Sequence, residues 1–220
     1  MKRSLFLMNI LILGFTFSSF AAVKPDNSFY TQRPDDAEAV YFTPTNFNIT
    51  ADGKTDVSDA LQEAINKLKL EQNFGIIFIP EGTYAISRTI YIPAAIRIIG
   101  YGAKRPVFVL KKNTAGYQTP VLSDKGKANY MFWFTGSVVE PGKSVNDAGA
   151  GTFYSALSNI DLKIEDGNPE AVALRTHYAQ HSFISHCDIY IGKGKAGLFD
   201  IGNEMEDVRF FSEGTRRLTA

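Results

Sequence analysis

One cysteine, one tryptophan and three histidines are spread over 220 residues. With Cys187 alone, no disulfide can form within the chain, so stability has to come from burial and backbone pairing. Lysine and arginine together equal aspartate and glutamate, 23 against 23. Removing Lys2 and Arg3 with the leading segment tips the balance only slightly acidic. Nothing in that charge pattern points to nucleic acid or to an anionic membrane surface. The histidines, His177, His181 and His186, crowd into ten residues. Their spacings of four and five on strands and turns do not converge on a tetrahedral zinc site, and Cys187 would point away from His186. No metal and no cofactor is therefore expected.

Hydrophobic residues make up 45% of the chain and charged ones 21%, enough for a packed core. Residues 1–21 combine Lys2 and Arg3 with an apolar run from Leu5 to Phe17 and close on Ser19-Phe20-Ala21. This is the pattern of a secretory signal peptide, and the apolar run is shorter than the ~20 residues that span a bilayer. A periplasmic or secreted protein with no stable membrane anchor after cleavage is expected. Residues 22–40 are polar, contain Pro25 and Pro34, and read as a leader or linker. Residues 41–220 then form one domain.

Helical periodicity is strong once. Val57, Ala60, Leu61, Ala64, Ile65 and Leu68 share one face, with Asp56 or Thr55 placed to cap the first turn and a stop near Asn73-Phe74-Gly75. Short β-branched and aromatic runs follow: Ile76–Ile79, an alternating Tyr84–Ile92, Ile96–Ile99, Pro106–Leu110 and Tyr130–Phe134. Beyond Gly151 the chain resembles itself. Asn159-Ile-Asp-Leu-Lys-Ile164 recurs as His186-Cys-Asp-Ile-Tyr-Ile191 and more loosely around Asp207, and Ala171–Leu174 recurs as Ala196–Phe199. A repeat of about 20–27 residues built from short strands is the signature of a coiled solenoid. The fold class expected is all-β, a right-handed parallel β-helix with an N-terminal capping α-helix.

Three groups of residues carry a family resemblance: Asp52-Gly53 to Ile65; Phe78, Pro80, Gly82 and Tyr84; and Gly100 with Gly102. They resemble the N-terminal part of the pectate-lyase-like superfamily, in which rhamnogalacturonase/epimerase-like proteins, polygalacturonases, phage tailspikes and the exo-β-1,3-glucanases of glycoside hydrolase family 55 are grouped. A fainter resemblance to family 55 coils runs from Ala171 to Gly214. The resemblance implies a secreted polysaccharide-degrading protein, hydrolase or lyase, with a polysaccharide or oligosaccharide as partner. The alternative is a non-catalytic carbohydrate-binding or structural β-helix. In family 55 the general acid lies in sequence that this chain lacks, so no residue is singled out as catalytic. The chain has room for about four to five coils, and an incomplete member is expected.

Arg175, His177, Gln180 and His181 are the candidate substrate-binding residues, since their planar donors and acceptors match sugar hydroxyls. Asp161, Asp188 and Asp207 read as equivalent positions on successive coils, a possible acid ladder. Gly192-x-Gly194-x-x-Gly197 has dinucleotide-type spacing, but too little chain follows for the required helix, so it reads as a turn and no nucleotide is expected. Tyr130, Phe132, Trp133 and Phe134 are either a carbohydrate platform or an ordinary buried strand.

Overall fold

The computed structural model describes residues 28–120, 129–200, 202 and 204–213. The predicted signal peptide and the residues after Glu213 lie outside this set. The elements run β1 (Val40–Tyr41), α1 (Pro44–Phe47), β2 (Asp52–Asp56), α2 (Ser58–Gln72), β3 (Gly75–Pro80), β4 (Thr83–Ile86), β5 (Ile90–Pro93), β6 (Ile96–Tyr101) and β7 (Val107–Leu110). They continue with β8 (Tyr130–Thr135), β9 (Ala156–Ser158), β10 (Asp161–Ile164), β11 (Val172–Arg175), β12 (Phe183–Gly192), β13 (Ala196–Phe199) and β14 (Glu204–Ser212).

Every strand pairing is parallel, and the strands stack in three columns. The first column is β1–β3–β6–β9 continuing into the start of β12, the second is β2–β4–β7–β10 continuing into its end, and the third is β5–β8–β11–β13. β14 pairs with β12 along both halves. The chain visits the columns in turn, so each circuit is one coil of a right-handed parallel β-helix. The predicted alternating run Tyr84–Ile92 is two strands, β4 and β5, separated by the corner Ser87-Arg88-Thr89. Inward side chains from all three columns, among them Ile79, Tyr84, Ile92, Phe108, Phe132, Leu162 and Ile189, form a single core.

Helix α2 closes one end. It joins β2 to β3 where the first coil has no strand of the third column, and it lays Leu61, Ile65 and Leu68 on the exposed core. Gln62 completes the substitution for a strand: its side-chain amide donates to the Tyr91 carbonyl at 3.0 Å and accepts from the Tyr91 N–H at 2.7 Å. The edge of β5 is thereby satisfied by a helix. The N-cap is Val57, one residue past the expected position, although Asp56 still accepts from the Ser58 N–H at 2.9 Å. At the other end Asn73 is left-handed, as the stop signal implied.

The corner between the first and second columns is a single left-handed residue repeated coil on coil: Asn159 (φ 56°), His186 (φ 54°) and Asp207 (φ 47°). Asn159 suits that conformation and uses both ends of its amide. It donates to the Gly100 carbonyl and the Ser28 hydroxyl, each at 2.8 Å, and accepts from the Phe29 N–H at 2.7 Å. The leader is thus tied to the corner. Gly100 has to be glycine, because a Cβ there would lie 2.0 Å from the Asn159 carbonyl oxygen.

The register corrects two readings of the repeat. Asp161 and Asp188 do stack, since Leu162 pairs with Ile189. The next position, however, is filled by Arg209, which pairs with Asp188, while Asp207 belongs to the corner with Asn159 and His186. The Asp207 match aligned a turn residue with a strand residue. Likewise Val172, not Ala171, pairs with Ala196.

Candidate functional site

On the outer face of the third column, register alone builds one row. Tyr91 pairs with Trp133, Trp133 with Arg175, and Arg175 with Phe199. Side chains at paired positions share a face, so three aromatic residues and one arginine line up along the solenoid axis. The Arg175 guanidinium lies 5.5 Å from the Trp133 ring centroid and 5.2 Å from that of Phe199. Trp133 is fully buried beneath it, so Trp133 supports the face and cannot be a platform that touches a ligand. Phe132 and Phe134 point into the core. Phe199 is 48% exposed and forms the accessible aromatic surface.

Acids close over this row from both ends. The long connection after β8 brings Asp147 back against Thr135 in an isolated antiparallel bridge. Its carboxylate accepts from Arg175 Nε at 2.9 Å and Nη2 at 2.5 Å, and from the Trp133 indole at 2.5 Å. Arg175 Nη1 donates to the Tyr130 hydroxyl at 3.2 Å. Asp200, itself left-handed at φ 56°, follows β13 and sits 3.6 Å from Arg175 and 3.4 Å from His177 Nδ1. Burial would raise the Asp147 carboxyl, but the Arg175 and Trp133 donors outweigh it and hold it below the ordinary value. The same Asp147 hydrogen bonds hold Arg175 firmly protonated.

Asp147, His177 and Asp200 bring potential ligand atoms within 4.8 Å of one another. The Arg175 guanidinium already supplies the positive charge between the two carboxylates, so these residues are built around an arginine and not around a metal ion. Counting Arg175 against Asp147 and Asp200, the cluster is anionic when His177 is neutral. Its outward-facing groups are the Asp200 carboxylate, the half-exposed His177 and the Phe199 ring.

The four residues singled out in the sequence divide. Arg175 and His177 meet in this cluster, with Arg175 only 8% exposed and acting through the groups it holds. His181 lies at another corner, its ring stacked on Tyr154 with centroids 5.3 Å apart and its backbone N–H donating to the Glu204 carboxylate at 3.3 Å. Gln180 is exposed beside it. Asp147 and Asp200 were missed: Asp147 lies in a long irregular connection, and no local pattern ties it to Arg175, 28 residues on. Phe199 was legible only as part of a repeat.

The stacked Asp161 and Asp188 form a different cluster, on the second column. Arg105 Nε lies 2.7 Å from Asp161 and its Nη2 2.8 Å from Asp188, Arg209 Nε donates to Asp188 at 2.6 Å, and the Asp188 N–H donates to Asp161 at 2.9 Å. Asp188 is fully buried, which removes it from any substrate. The predicted acid ladder is therefore a buried ion network that cross-links coils. Gly192–Gly197 forms the turn between β12 and β13, with no helix after it.

Residues 43–213 match the family described as rhamnogalacturonase A/epimerase, pectate lyase-like, and the chain belongs to that family. No curated protein matches the sequence. Among solved structures, an iota-carrageenase of family GH82 from A. fortis is similar at 16% identity and TM-score 0.47, over 90% of this chain and 49% of that one. Geobacillus virus E2 ORF18 is similar at 18% identity and TM-score 0.45, over 79% of this chain and 35% of that one. PfbA, a surface adhesin of Streptococcus pneumoniae, is similar at 14% identity and TM-score 0.34, over 78% of this chain and 38% of that one. The chain spans a third to a half of the length of these proteins, and the likeness is one of fold.

Proposed function

We propose that this chain is part of a polysaccharide-degrading protein and holds a glycan strand across the outer face of β5, β8, β11 and β13. The observation that carries the reading is the register row Tyr91–Trp133–Arg175–Phe199, bordered by Asp147, Asp200 and His177. A sugar ring would lie on Phe199, and its hydroxyls would donate to Asp200 and exchange hydrogen bonds with His177. Arg175 positions these groups: it carries Asp147, stacks under Phe199 and does not itself reach the ligand. An anionic cluster of acceptors suits the hydroxyls of an uncharged sugar.

Cleavage at this face is the finer reading, with Asp200 beside His177 as its accessible carboxylate. Laminarin, which is uncharged, is the first glycan to test, with the acidic pectin and rhamnogalacturonan as the contrast. Binding without release of reducing ends or of unsaturated sugar products would leave a binding module. Binding lost on His177→Ala or Asp200→Asn would support the site, and no binding to any glycan would reject the proposal.

The pattern of residues 1–21 supports export from the cytoplasm. N-terminal sequencing of the protein from culture fluid or periplasm, starting at Ala22, is the expected outcome, and a retained Met1 the contrary one.

A further inference from the structure

We infer that a second face, on the outside of β4, β7, β10 and β12, is a binding site for a polysaccharide that carries acidic groups. A trough of about 610 Å³ runs there from Lys54 and Lys104 to Lys163 and Tyr190. It shares Lys163, Glu165 and Tyr190 with an adjoining trough of about 520 Å³ that extends to Phe211. The strands beneath are stacked at ~4.8 Å, so the combined surface is long enough for several sugar units.

Charge selects the occupant. The acids that line this first trough, Asp52, Asp161 and Glu165, are already engaged; the adjoining one adds Glu213 and Asp166, the latter 3.6 Å from Lys193. Asp161 meets Arg105 at 2.7 Å and the Asp188 N–H at 2.9 Å; Glu165 meets Lys111 at 3.2 Å and the Lys112 N–H at 3.0 Å. Asp52 folds back on its own turn, accepting from the Lys54 and Thr55 N–H groups at 2.7 and 2.8 Å. Lys54, Lys104 and Lys163 are exposed, and among the described residues their ammonium groups make no ion pair. Three lysines thus stand over a floor whose carboxylates already have ion-pair or hydrogen-bond partners.

The far end adds a flat apolar surface. Tyr190 and Phe211, paired across β12 and β14, stack with centroids 4.9 Å apart and planes 15° apart, and both are exposed. Aromatic faces take sugar rings, while lysines take the carboxylate or sulfate groups that such rings carry. The surface is set apart from the Arg175 cluster in position and in sign: the latter is on the third column and anionic.

The test is affinity electrophoresis of the full chain through gels containing dextran, dextran sulfate or polygalacturonate. The wild type is expected to be retarded by at least one polyanion and not by dextran, with retardation falling as salt rises. Retardation by dextran sulfate identifies a sulfate as the group read, and retardation by polygalacturonate a carboxylate. Lys104→Gln/Lys163→Gln, two exposed positions, is expected to weaken that binding about tenfold, the loss of two charge-assisted contacts. His177→Ala is expected to leave it unchanged. Equal binding by the lysine double variant, retardation by dextran, or no retardation by either polyanion would overturn the inference. Loss on His177→Ala instead would move the binding to the Arg175 face, leaving the proposed function standing and this inference refuted.

Discussion

Two buried arginines decide most of the chemistry of this molecule. Arg175 gathers Asp147, Tyr130 and, at longer range, Asp200, and only a planar fork can meet them together. Arg175→Lys keeps the charge but loses the bidentate pair. A destabilisation of about 2–3 kcal/mol in urea unfolding is expected, with weaker glycan binding than that loss explains. Arg105 performs a different task, bracing Asp161 against Asp188. Burial pushes the Asp161 carboxyl up to about 6, against the contrary pull of the Asp188 N–H and Arg105. An acid raised above its unfolded value of ~3.9 holds its proton more tightly when folded. Its contribution to stability is therefore full below ~3.9 and lost as pH rises through about 6. Measured by urea unfolding between those pH values, wild type should lose stability relative to Asp161→Asn as pH increases. Parallel profiles would show that Asp161 titrates as an ordinary surface acid.

At the level of the element, the helix cap was the most legible part, because a 3.6-residue apolar stripe has one reading and needs a surface to cover. Its two faces should behave very differently. Leu61 is fully buried and Leu70 is 74% exposed. Leu61→Ala is expected to cost about 2–5 kcal/mol, and Leu70→Ala about 0.5 kcal/mol or less, both read from chemical denaturation. The corners were harder to read. Asn159, His186 and Asp207 share no side-chain chemistry, only a left-handed backbone, so Asp207 was matched to strand positions. Asn159→Gly preserves the conformation and removes three hydrogen bonds, while Asn159→Ala also adds backbone strain. The alanine variant should be the less stable of the two by about 1 kcal/mol, and the reverse order would mean that left-handed strain does not limit that corner. The site itself was half legible. Arg175 and His177 stand on or beside a recognisable repeat, whereas Asp147 reaches Arg175 only through the three-dimensional return of a long connection.

The whole molecule is a stack whose three outer faces differ because register carries a choice of side chain from coil to coil. On the third column it lines up three aromatics and an arginine, to which the connections add two acids; on the second it buries an ion network and leaves lysines outside. No helix among the described residues is long and apolar enough to cross a membrane. The family places the chain among pectate lyase-like proteins, and the third column is where the proposed glycan binding would occur. The most direct measurement is isothermal titration of the wild type and His177→Ala with an uncharged laminarin oligosaccharide. The account predicts measurable binding by the wild type, at least about tenfold weaker binding by the variant, and unchanged unfolding for both. Equal affinities in the two proteins would contradict it.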